Sequence, residues 1–571
     1  VYLATGIAEI GSGNPLAAED CFKKALALDK TRIEAYQDLA NLYLGLNRIS
    51  AAERILIEGT KNNPNNIRIH LALANFYYRT GRLRQVNSVL ESLKERMTDL
   101  AQLHSDLGDF WVAHNQVSRA VPEYQASLLA RSSEIVKKKL VNAYITLGDA
   151  AEAAHWNDQI LRSNPKDHEA KMFRGAIAYL RGDTARATAQ LEAAIGEDPA
   201  SIFTHYYLGA TYLADAKLEQ ARAQFYECIK YDEKFVHAYL RLAQLSLQKN
   251  DAASAAEYAK KVISLDPWML DGYLLAADAA LVKRDVVRAE RALQLARRLV
   301  PEHYLVHERW AALYTLKKDY ARAEREYQLA LASSGKPLDT LSRMTRYYID
   351  RGQIAKGLQE VQRYIASKGP APTLYELLAQ LQLAKAAWIE AEEACEKALG
   401  LDPKRQVALV YLGQALARQG RHEEAVRSYE RAIQLHPRHL QSYLLLADLY
   451  WQQGKFAQAV ESYRQALYVN PGSPIAQTGL ARVLADSGQD LDWALTIAQQ
   501  AKQQWPEEPV VSDALAWVYH KKGMNDLAIP LLQECVVKDA NNPVFHYHLG
   551  MVYLESGRSQ EAGQRLQAAL K

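Results

Sequence analysis

The chain has 571 residues, with 69 lysines and arginines, 66 aspartates and glutamates, and a formal net charge of +3. This near balance argues against nucleic acid as the main partner, because phosphate binding needs a clear excess of basic residues. A hydrophobic content of 49% excludes a disordered chain, no run of about 18 apolar residues could span a membrane, and four cysteines are too few for a disulfide scaffold.

A period of 34 residues runs along the sequence. The stretch AVRSYERAI at residues 425–433 returns as AVESYRQAL at residues 459–467, and the same step carries Gly413 to Ala447. The length of the chain holds about 17 such units. The period therefore fills the chain, and one repeated element is expected from end to end.

Small residues keep the phase of this period from the first unit to the last. Numbered so that small residues fall at positions 8 and 20, the units carry Gly or Ala at position 8 in 15 of 17 cases, beginning with Gly6. Position 20 is Ala in 15 of the 17, beginning with Ala18. Only small side chains let two helix axes approach to about 8 Å, which predicts that positions 8 and 20 face each other across two packed helices.

A turn is also visible within each unit. Position 15 is Gly or Asn in 13 of the 17 units, as at Asn47, Gly81, Asn250 and Gly420. These residues tolerate the left-handed backbone that ends a helix. We therefore expect a first helix, helix A, to end at position 15 and a second helix, helix B, to follow it.

The repeating small residues and turns resemble those of the tetratricopeptide repeat (TPR) family, whose unit is 34 residues and two antiparallel helices. The resemblance implies an all-α fold, a right-handed α–α superhelix of about 17 helix-turn-helix repeats. It predicts one continuous solenoid over residues 1–571. The repeat marks weaken over residues 91–104 and 333–373, where kinks are predicted.

In such a solenoid helix A lines the concave surface, and position 9 points inward. Amide side chains offer both a donor and an acceptor, so a row of them one unit apart could hold an extended peptide backbone. The alternative is a solvated surface, or amides bonded to their neighbours. The predicted partner-binding residues at position 9 are Asn41, Asn75, Asp109, Asn142, Gln244, Asp278, Gln380, Gln414 and Asp448.

Aromatic residues extend the predicted groove. Tyr206, Trp451 and Trp517 stand at helix A positions where they could anchor a partner segment. Packing against the next unit is the alternative for each of them.

No motif for catalysis, cofactor binding or metal binding stands out. The sequence has no Walker loop, nucleophile elbow or His-Glu-x-x-His. His303 and His307 are four apart, but the first lies at a junction between units, and a metal site is not predicted. We therefore expect no enzyme activity, no cofactor and no metal.

The closing units, at residues 513–523 and 546–553, are similar to the last repeats of large bacterial TPR proteins that accompany exopolysaccharide export and exosortase sorting. This resemblance implies a scaffold at the cell envelope that faces the periplasm, with a membrane complex among its partners. The cytoplasm is the alternative compartment. The chain begins at Val1 rather than Met, which leaves room for a signal peptide or a lipidated cysteine ahead of it.

Three functional classes follow from this reading. The first is a non-catalytic scaffold that binds a partner protein or an extended peptide in its concave groove, in envelope assembly, export or exopolysaccharide secretion. The second is the substrate-presenting arm of a larger enzyme. The third is a guide for polysaccharide, since tyrosine and tryptophan rings can stack on sugars.

Overall fold

The computed structural model describes residues 1–46 and 48–570. These residues form 34 α-helices and contain no β-strand. Consecutive helices pair into antiparallel hairpins, which confirms the predicted all-α fold of helix-turn-helix repeats. Two compact units divide the chain, Val1–Pro301 and Glu302–Lys571.

Unit 1 contains nine hairpins within the described residues. Its helices α1 to α18 are, in chain order, Tyr2–Gly11, Pro15–Leu28, Ile33–Gly45, Ile49–Asn62, Ile67–Arg79, Leu83–Arg96, Leu100–Ala113, Val117–Ala130, Glu134–Leu147, Ala150–Ser163, His168–Leu180, Thr184–Glu197, Ile202–Ala214, Leu218–Tyr231, Val236–Gln248, Ala252–Leu265, Leu270–Val282 and Val286–Leu299.

Unit 2 contains eight hairpins up to residue 570. Its helices α19 to α34 are Tyr304–Leu316, Tyr320–Ser333, Pro337–Asp350, Ile354–Lys368, Pro372–Ala384, Trp388–Leu401, Gln406–Arg418, His422–Leu435, Leu440–Gln452, Phe456–Val469, Pro474–Ser487, Leu491–Gln504, Pro509–Lys521, Asn525–Lys538, Pro543–Glu555 and Ser559–Ala569.

The odd-numbered helices are the A helices of the hairpins, and they line the inner side of each unit. Each A helix packs on its own B helix, and within each unit most A helices also pack on the A helix of the next hairpin, as α3 does on α5 and α23 does on α25. The B helices of successive hairpins do not pack on one another to the same extent. Neighbouring hairpins are therefore closer on the A side, which makes that side concave, as the sequence predicted.

The small residue at position 8 makes room for the side chain at position 24. A Cβ atom on Gly209 would lie 2.8 Å from Cε1 of Phe225, too close for a real contact. Position 20 lies between two A helices where Gly357 shows it: a Cβ there would lie 2.7 Å from Leu381 of the next hairpin and 3.3 Å from Tyr348 of its own hairpin. The direct contact of position 8 is thus with position 24, and the facing of positions 8 and 20 stays a prediction.

The turn after helix A uses the left-handed conformation in every hairpin whose turn residue the structure describes. Gly81 and Gly420 adopt it with φ of 74° and 79°, and Asn250 with φ of 60°. Four units without Gly or Asn adopt the same backbone at the same position. These residues are Ala216, Arg284, Lys318 and Ala386. The geometry of the hairpin thus imposes this turn even where a side chain makes it costly; the predicted turn residue Asn47 lies outside the described residues.

A repeated hydrogen bond holds the loop between hairpins. The side chain at position 4 of helix A reaches the carbonyl oxygen six residues before it, as when the Tyr443 hydroxyl donates to Pro437 at 3.1 Å. The same bond joins Tyr36 to Lys30, His70 to Pro64, His205 to Pro199, Tyr239 to Glu233, Tyr273 to Pro267, Gln477 to Pro471 and His546 to Ala540. This bond satisfies a loop carbonyl that the helix ladder cannot reach.

The two predicted kinks fall at short breaks between helices. Near residues 91–104, α6 ends at Arg96 and α7 begins at Leu100. Over residues 333–373, α21 and α22 form a hairpin that ends at Gly369, where φ is 89°. The kinks and the continuity of the solenoid along the chain stay predictions. No helix within the described residues is long and apolar enough to span a membrane.

Candidate partner-binding groove

The predicted groove residues all lie on A helices. In unit 1 they are Asn41 on α3, Asn75 on α5, Asp109 on α7, Asn142 on α9, Tyr206 on α13, Gln244 on α15 and Asp278 on α17. In unit 2 they are Gln380 on α23, Gln414 on α25, Asp448 and Trp451 on α27, and Trp517 on α31. All of them therefore lie on the helices of the concave side, and the surroundings of each side chain show which of them a partner could reach.

A cavity of about 1060 Å³ opens on the concave side of unit 1, between α3, α5 and α7. Asn41, Asn75 and Asp109 line it together, one from each of three successive hairpins. Asn142, on the next A helix, is exposed and stands outside this lining. The structure thus brings three of the predicted residues into one site. We call this cavity the unit 1 groove.

The three polar residues of the unit 1 groove differ in what they already bind. Oδ1 of Asn75 is buried and has no hydrogen-bond partner among the described residues. Asp109 accepts a hydrogen bond from the Tyr124 hydroxyl at 2.8 Å and pairs with Nζ of Lys139 at 2.6 Å. Asn41 is exposed. The exposed amide of Asn41 is therefore the part of the row most open to a ligand, whereas Asn75 would have to turn its buried Oδ1 towards the cavity to meet one.

Two further carboxylates line the unit 1 groove, and sequence reasoning did not select them. Burial raises the pKa of Asp38, and the nearby charge of Glu34 raises it further. Burial is also the main cause that raises the pKa of Asp106, although Gln102 donates a hydrogen bond to it at 2.8 Å. Both lie at position 6 of helix A. Considering position 6 together with position 9 in the sequence would have selected them.

Basic residues balance these carboxylates. Arg68 and Arg79 also line the unit 1 groove. The guanidinium of Arg79 lies 5.7 Å from the ring centre of Trp268, in the loop between α16 and α17. Unit 1 therefore curves enough to bring its third hairpin near the loop that precedes its ninth. An exposed contact of this kind contributes about 0.5–1 kcal/mol.

Tyr206 and Gln244 are joined through a third side chain. Nε of Arg241 donates to the Tyr206 hydroxyl at 3.2 Å, and Nη1 donates to Oε1 of Gln244 at 3.2 Å. The Tyr206 ring packs against Phe235, with 5.7 Å between ring centres. These residues form a separate aromatic and polar surface on α13 and α15. Asp278, further along unit 1, is half-buried.

In unit 2, one carboxylate holds both predicted tryptophans. Nε1 of Trp451 donates to Oδ2 of Asp486 at 3.0 Å, and Nε1 of Trp517 donates to Oδ1 at 2.7 Å. Trp517 is only 5% exposed and stacks on His548 with 4.1 Å between ring centres. Both indoles therefore stabilise the packing of α27, α29 and α31, and their role in partner binding stays a prediction.

Asp448 is half-buried on α27. Burial raises the pKa of its carboxyl, and a hydrogen bond from the Tyr463 hydroxyl lowers this pKa by less. A carboxyl whose pKa is raised on folding stabilises the fold below its unfolded pKa, and this contribution is lost as pH rises through the folded pKa. We therefore predict that Asp448→Asn, which keeps an acceptor for Tyr463, stabilises α27 and α28 at neutral pH. Amide hydrogen exchange at neutral and acidic pH measures this.

The gain should shrink as the pH falls towards the ordinary pKa of aspartate, about 4, since Asp448 is then neutral in both states. The matched variant Asp526→Asn, at an exposed position in the first turn of α32, should show no pH-dependent gain. Faster exchange in α27 at neutral pH in Asp448→Asn would contradict the prediction.

Gln380 and Gln414 are half-buried on adjacent A helices of unit 2. Gln380 lines a second cavity, of about 410 Å³, between α21, α23 and α25. Position 9 of α21 is Arg346, which lines the same cavity and which sequence reasoning passed over because it looked only for amides and acids.

Three of the four cysteines are buried, and burial makes their thiols poor nucleophiles. Burial raises the pKa of Cys228, Cys395 and Cys535 to about 12 each. These thiols stay protonated at neutral pH, and a thiol rather than a thiolate is a poor nucleophile. Among the histidines, Nδ1 of His307 lies 2.7 Å from Oε2 of Glu326, while His303 caps α19.

Hairpins of this length, with a concave surface of A helices, define the class of tetratricopeptide repeat solenoids. Family models described as tetratricopeptide repeat match residues 9–70, 138–202, 236–267, 404–468, 444–509 and 543–568, together about half of the chain. The chain belongs to the tetratricopeptide repeat family. No curated protein matches it.

A solved structure that the chain is similar to is the crystal structure of the APC/C hetero-tetramer Cut9–Hcn1. The identity is 16%, the TM-score is 0.37, and the match covers 81% of this chain and 92% of that chain.

Proposed function

We propose that this protein is a non-catalytic interaction scaffold that holds an extended segment of a partner protein in the unit 1 groove. The observation that carries the proposal is the placement of Asn41, Asn75 and Asp109, from three successive hairpins, along one cavity of about 1060 Å³. The tetratricopeptide repeat fold is typical of proteins that bind other proteins without catalysis.

The spacing of these residues suits a peptide backbone. Neighbouring packed helices lie about 8–10 Å apart, and an extended chain rises about 3.3 Å per residue. One hairpin therefore corresponds to roughly three residues of bound peptide. An amide on each hairpin can donate to a peptide carbonyl and accept from a peptide N–H. In the unit 1 groove these amides are Asn41, which is exposed, and Asn75, which turns its buried Oδ1 outward to accept such a bond.

The finer part of the proposal concerns the setting. The similarity of the closing repeats to those of large bacterial envelope proteins supports a scaffold in envelope assembly, export or exopolysaccharide secretion. A protein of a membrane complex is then the partner.

The test uses peptides selected from a random library on the intact chain. We predict that the variant Asn41→Ala/Asn75→Ala binds the selected peptides about 30-fold more weakly, because each lost hydrogen bond contributes about 1 kcal/mol. Methylating the backbone nitrogens of a selected peptide should weaken binding to the unchanged chain in the same way. Fluorescence anisotropy of the labelled peptide measures both effects.

Asn142→Ala is the matched control, since it removes the same side chain from the next A helix, outside the lining of the cavity. It should leave the dissociation constant within about twofold. The proposal fails if no peptide is selected, or if the double variant binds as tightly as the unchanged chain.

A further inference from the structure

The second cavity, in unit 2, differs from the unit 1 groove in the charge of its walls. It lies between the A helices α21, α23 and α25 and has a volume of about 410 Å³. Arg343, Arg346, Gln380 and Tyr411 line it. We call this cavity the arginine cavity. It offers mainly hydrogen-bond donors, two of them guanidinium groups.

The carboxylates of this region are already engaged. Glu376, the one carboxylate in the wall of the arginine cavity, is 4% exposed. It accepts hydrogen bonds from Nε of Arg405 at 2.8 Å and from Nη2 of Arg405 at 2.5 Å. The two parallel bonds saturate its oxygens on one side. Glu376 therefore cannot neutralise a second cation fully.

The neighbouring buried carboxylate, Glu308, is shared between two arginines. It accepts from the Thr340 hydroxyl at 2.8 Å, and its Oε2 lies 3.4 Å from Nε of Arg343 and 3.4 Å from Nη1 of Arg309. Only the Nε side of the Arg343 guanidinium is therefore engaged, and its side chain is still 54% exposed. Its remaining N–H groups can bind a ligand.

Arg346 has no such partner. It is exposed, and it forms no hydrogen bond or ion pair with any residue that the structure describes. Arg346 and Tyr411 line the same cavity. Burial is the main cause that raises the pKa of Tyr411, and the charge of Glu376 adds to it. The Tyr411 hydroxyl and the Gln380 amide likewise form no hydrogen bond within the described part of the chain.

We propose that the arginine cavity binds a side-chain carboxylate of an acidic segment of a partner protein. A carboxylate can accept two parallel bonds from the planar guanidinium of Arg346 and a third from the Tyr411 hydroxyl. Gln380, which the sequence predicted as a groove residue, is then placed to donate to the flanking backbone. This site is separate from the unit 1 groove and does not depend on it.

The charge of the site favours a carboxylate over a phosphoryl group. Arg346 is one cation without an ion pair, and Arg343 shares the carboxylate of Glu308 with Arg309. One carboxylate matches the charge of Arg346. A phosphoryl group carries about −1.5 to −2 at neutral pH and would leave charge uncompensated beside Glu376.

The test measures binding of a fluorescent peptide of alternating glutamate and glycine to the full chain at low ionic strength. Its matched probes replace glutamate by glutamine or by phosphoserine. We expect the glutamate peptide to bind and the glutamine peptide not to bind. Arg346→Gln should weaken binding of the glutamate peptide about tenfold, and Tyr411→Phe about threefold to tenfold.

Arg325→Gln is the matched control, since Arg325 is an exposed arginine on the B helix α20 and its loss changes the net charge equally. It should leave the affinity within about twofold. Equal loss in Arg325→Gln and Arg346→Gln, equal binding of the glutamine peptide, absence of binding, or tighter binding of the phosphoserine peptide would each overturn the proposal. Circular dichroism confirms that each variant is folded.

Discussion

Replacing Phe225 by alanine is expected to destabilise the hairpin of α13 and α14 by about 3–5 kcal/mol. The ring is fully buried and fills the space that Gly209 leaves on the facing helix. Removing it opens a cavity that the rigid hairpin cannot close. Because a solenoid opens locally rather than as a whole, amide hydrogen exchange in α13 and α14 is the measurement that detects the loss.

The fit between Gly209 and Phe225 also predicts a non-additive pair of changes. Gly209→Ala alone should cost about 1–3 kcal/mol, since its new Cβ would lie 2.8 Å from the ring. In a Phe225→Leu background the same change should be neutral or stabilising, because alanine is the better helix former. The second unit already has alanine at position 8 and leucine at position 24, as Ala40 and Leu56. Additive effects of the two changes would contradict the proposed contact.

Replacing Glu376 by alanine is expected to destabilise α23 and α25 by about 2–3 kcal/mol. Losing one partner of a buried ion pair costs about 3–5 kcal/mol when the other is left without water. Arg405 is 33% exposed along its side chain and can turn partly towards solvent, which lowers the figure. Hydrogen exchange in α23 and α25 measures the effect. Glu376→Gln keeps the shape of the side chain and one acceptor, so it should lose less stability than Glu376→Ala.

The control for this prediction is a surface ion pair in the same unit. Glu561 pairs with Arg558 three residues before it, and both are exposed. Exposed pairs contribute little because water and salt screen them. Glu561→Ala should therefore leave the exchange of α33 and α34 unchanged. If Glu376→Ala has no larger effect than Glu561→Ala, the prediction that the ion pair of Glu376 and Arg405 stabilises α23 and α25 is contradicted.

The repeated fold could be read from the sequence because each hairpin is built from contacts within one or two periods of the chain. The left-handed turn at position 15 shows how far this holds. It was predicted where Gly81 or Asn250 stands, and the structure extends it to Ala216 and Lys318. There the hairpin geometry outweighs the side-chain preference, which no local signal in those two units shows.

Pairing between positions is the part that the sequence did not show. The period indicates that positions 8 and 20 are small, but it does not indicate which residue each one meets. Gly209 meets Phe225, at position 24, one helical turn beyond the small residue at position 20. Which turn of helix B meets position 8 is a property of the packed unit.

The candidate site was predicted in part for the same reason. Choosing position 9 found Asn41, Asn75 and Asp109, which do line one cavity. The same choice did not show that Trp517 is buried against Asp486 and His548 rather than open to a partner. Arg346 was missed because its significance depends on which neighbouring carboxylates are already engaged, and those ion pairs join different hairpins.

The most direct test of the scaffold proposal is to locate a bound peptide. A photo-crosslinking amino acid is placed at position 72, where Ala72 lines the unit 1 groove, or, in a second variant, at position 84 on the outer helix α6, where Arg84 is exposed. Each variant is irradiated with a library-selected peptide and analysed by mass spectrometry. We expect the peptide to crosslink at position 72 and not at position 84. Crosslinking at position 84 alone, or equally at both, would contradict binding in the groove.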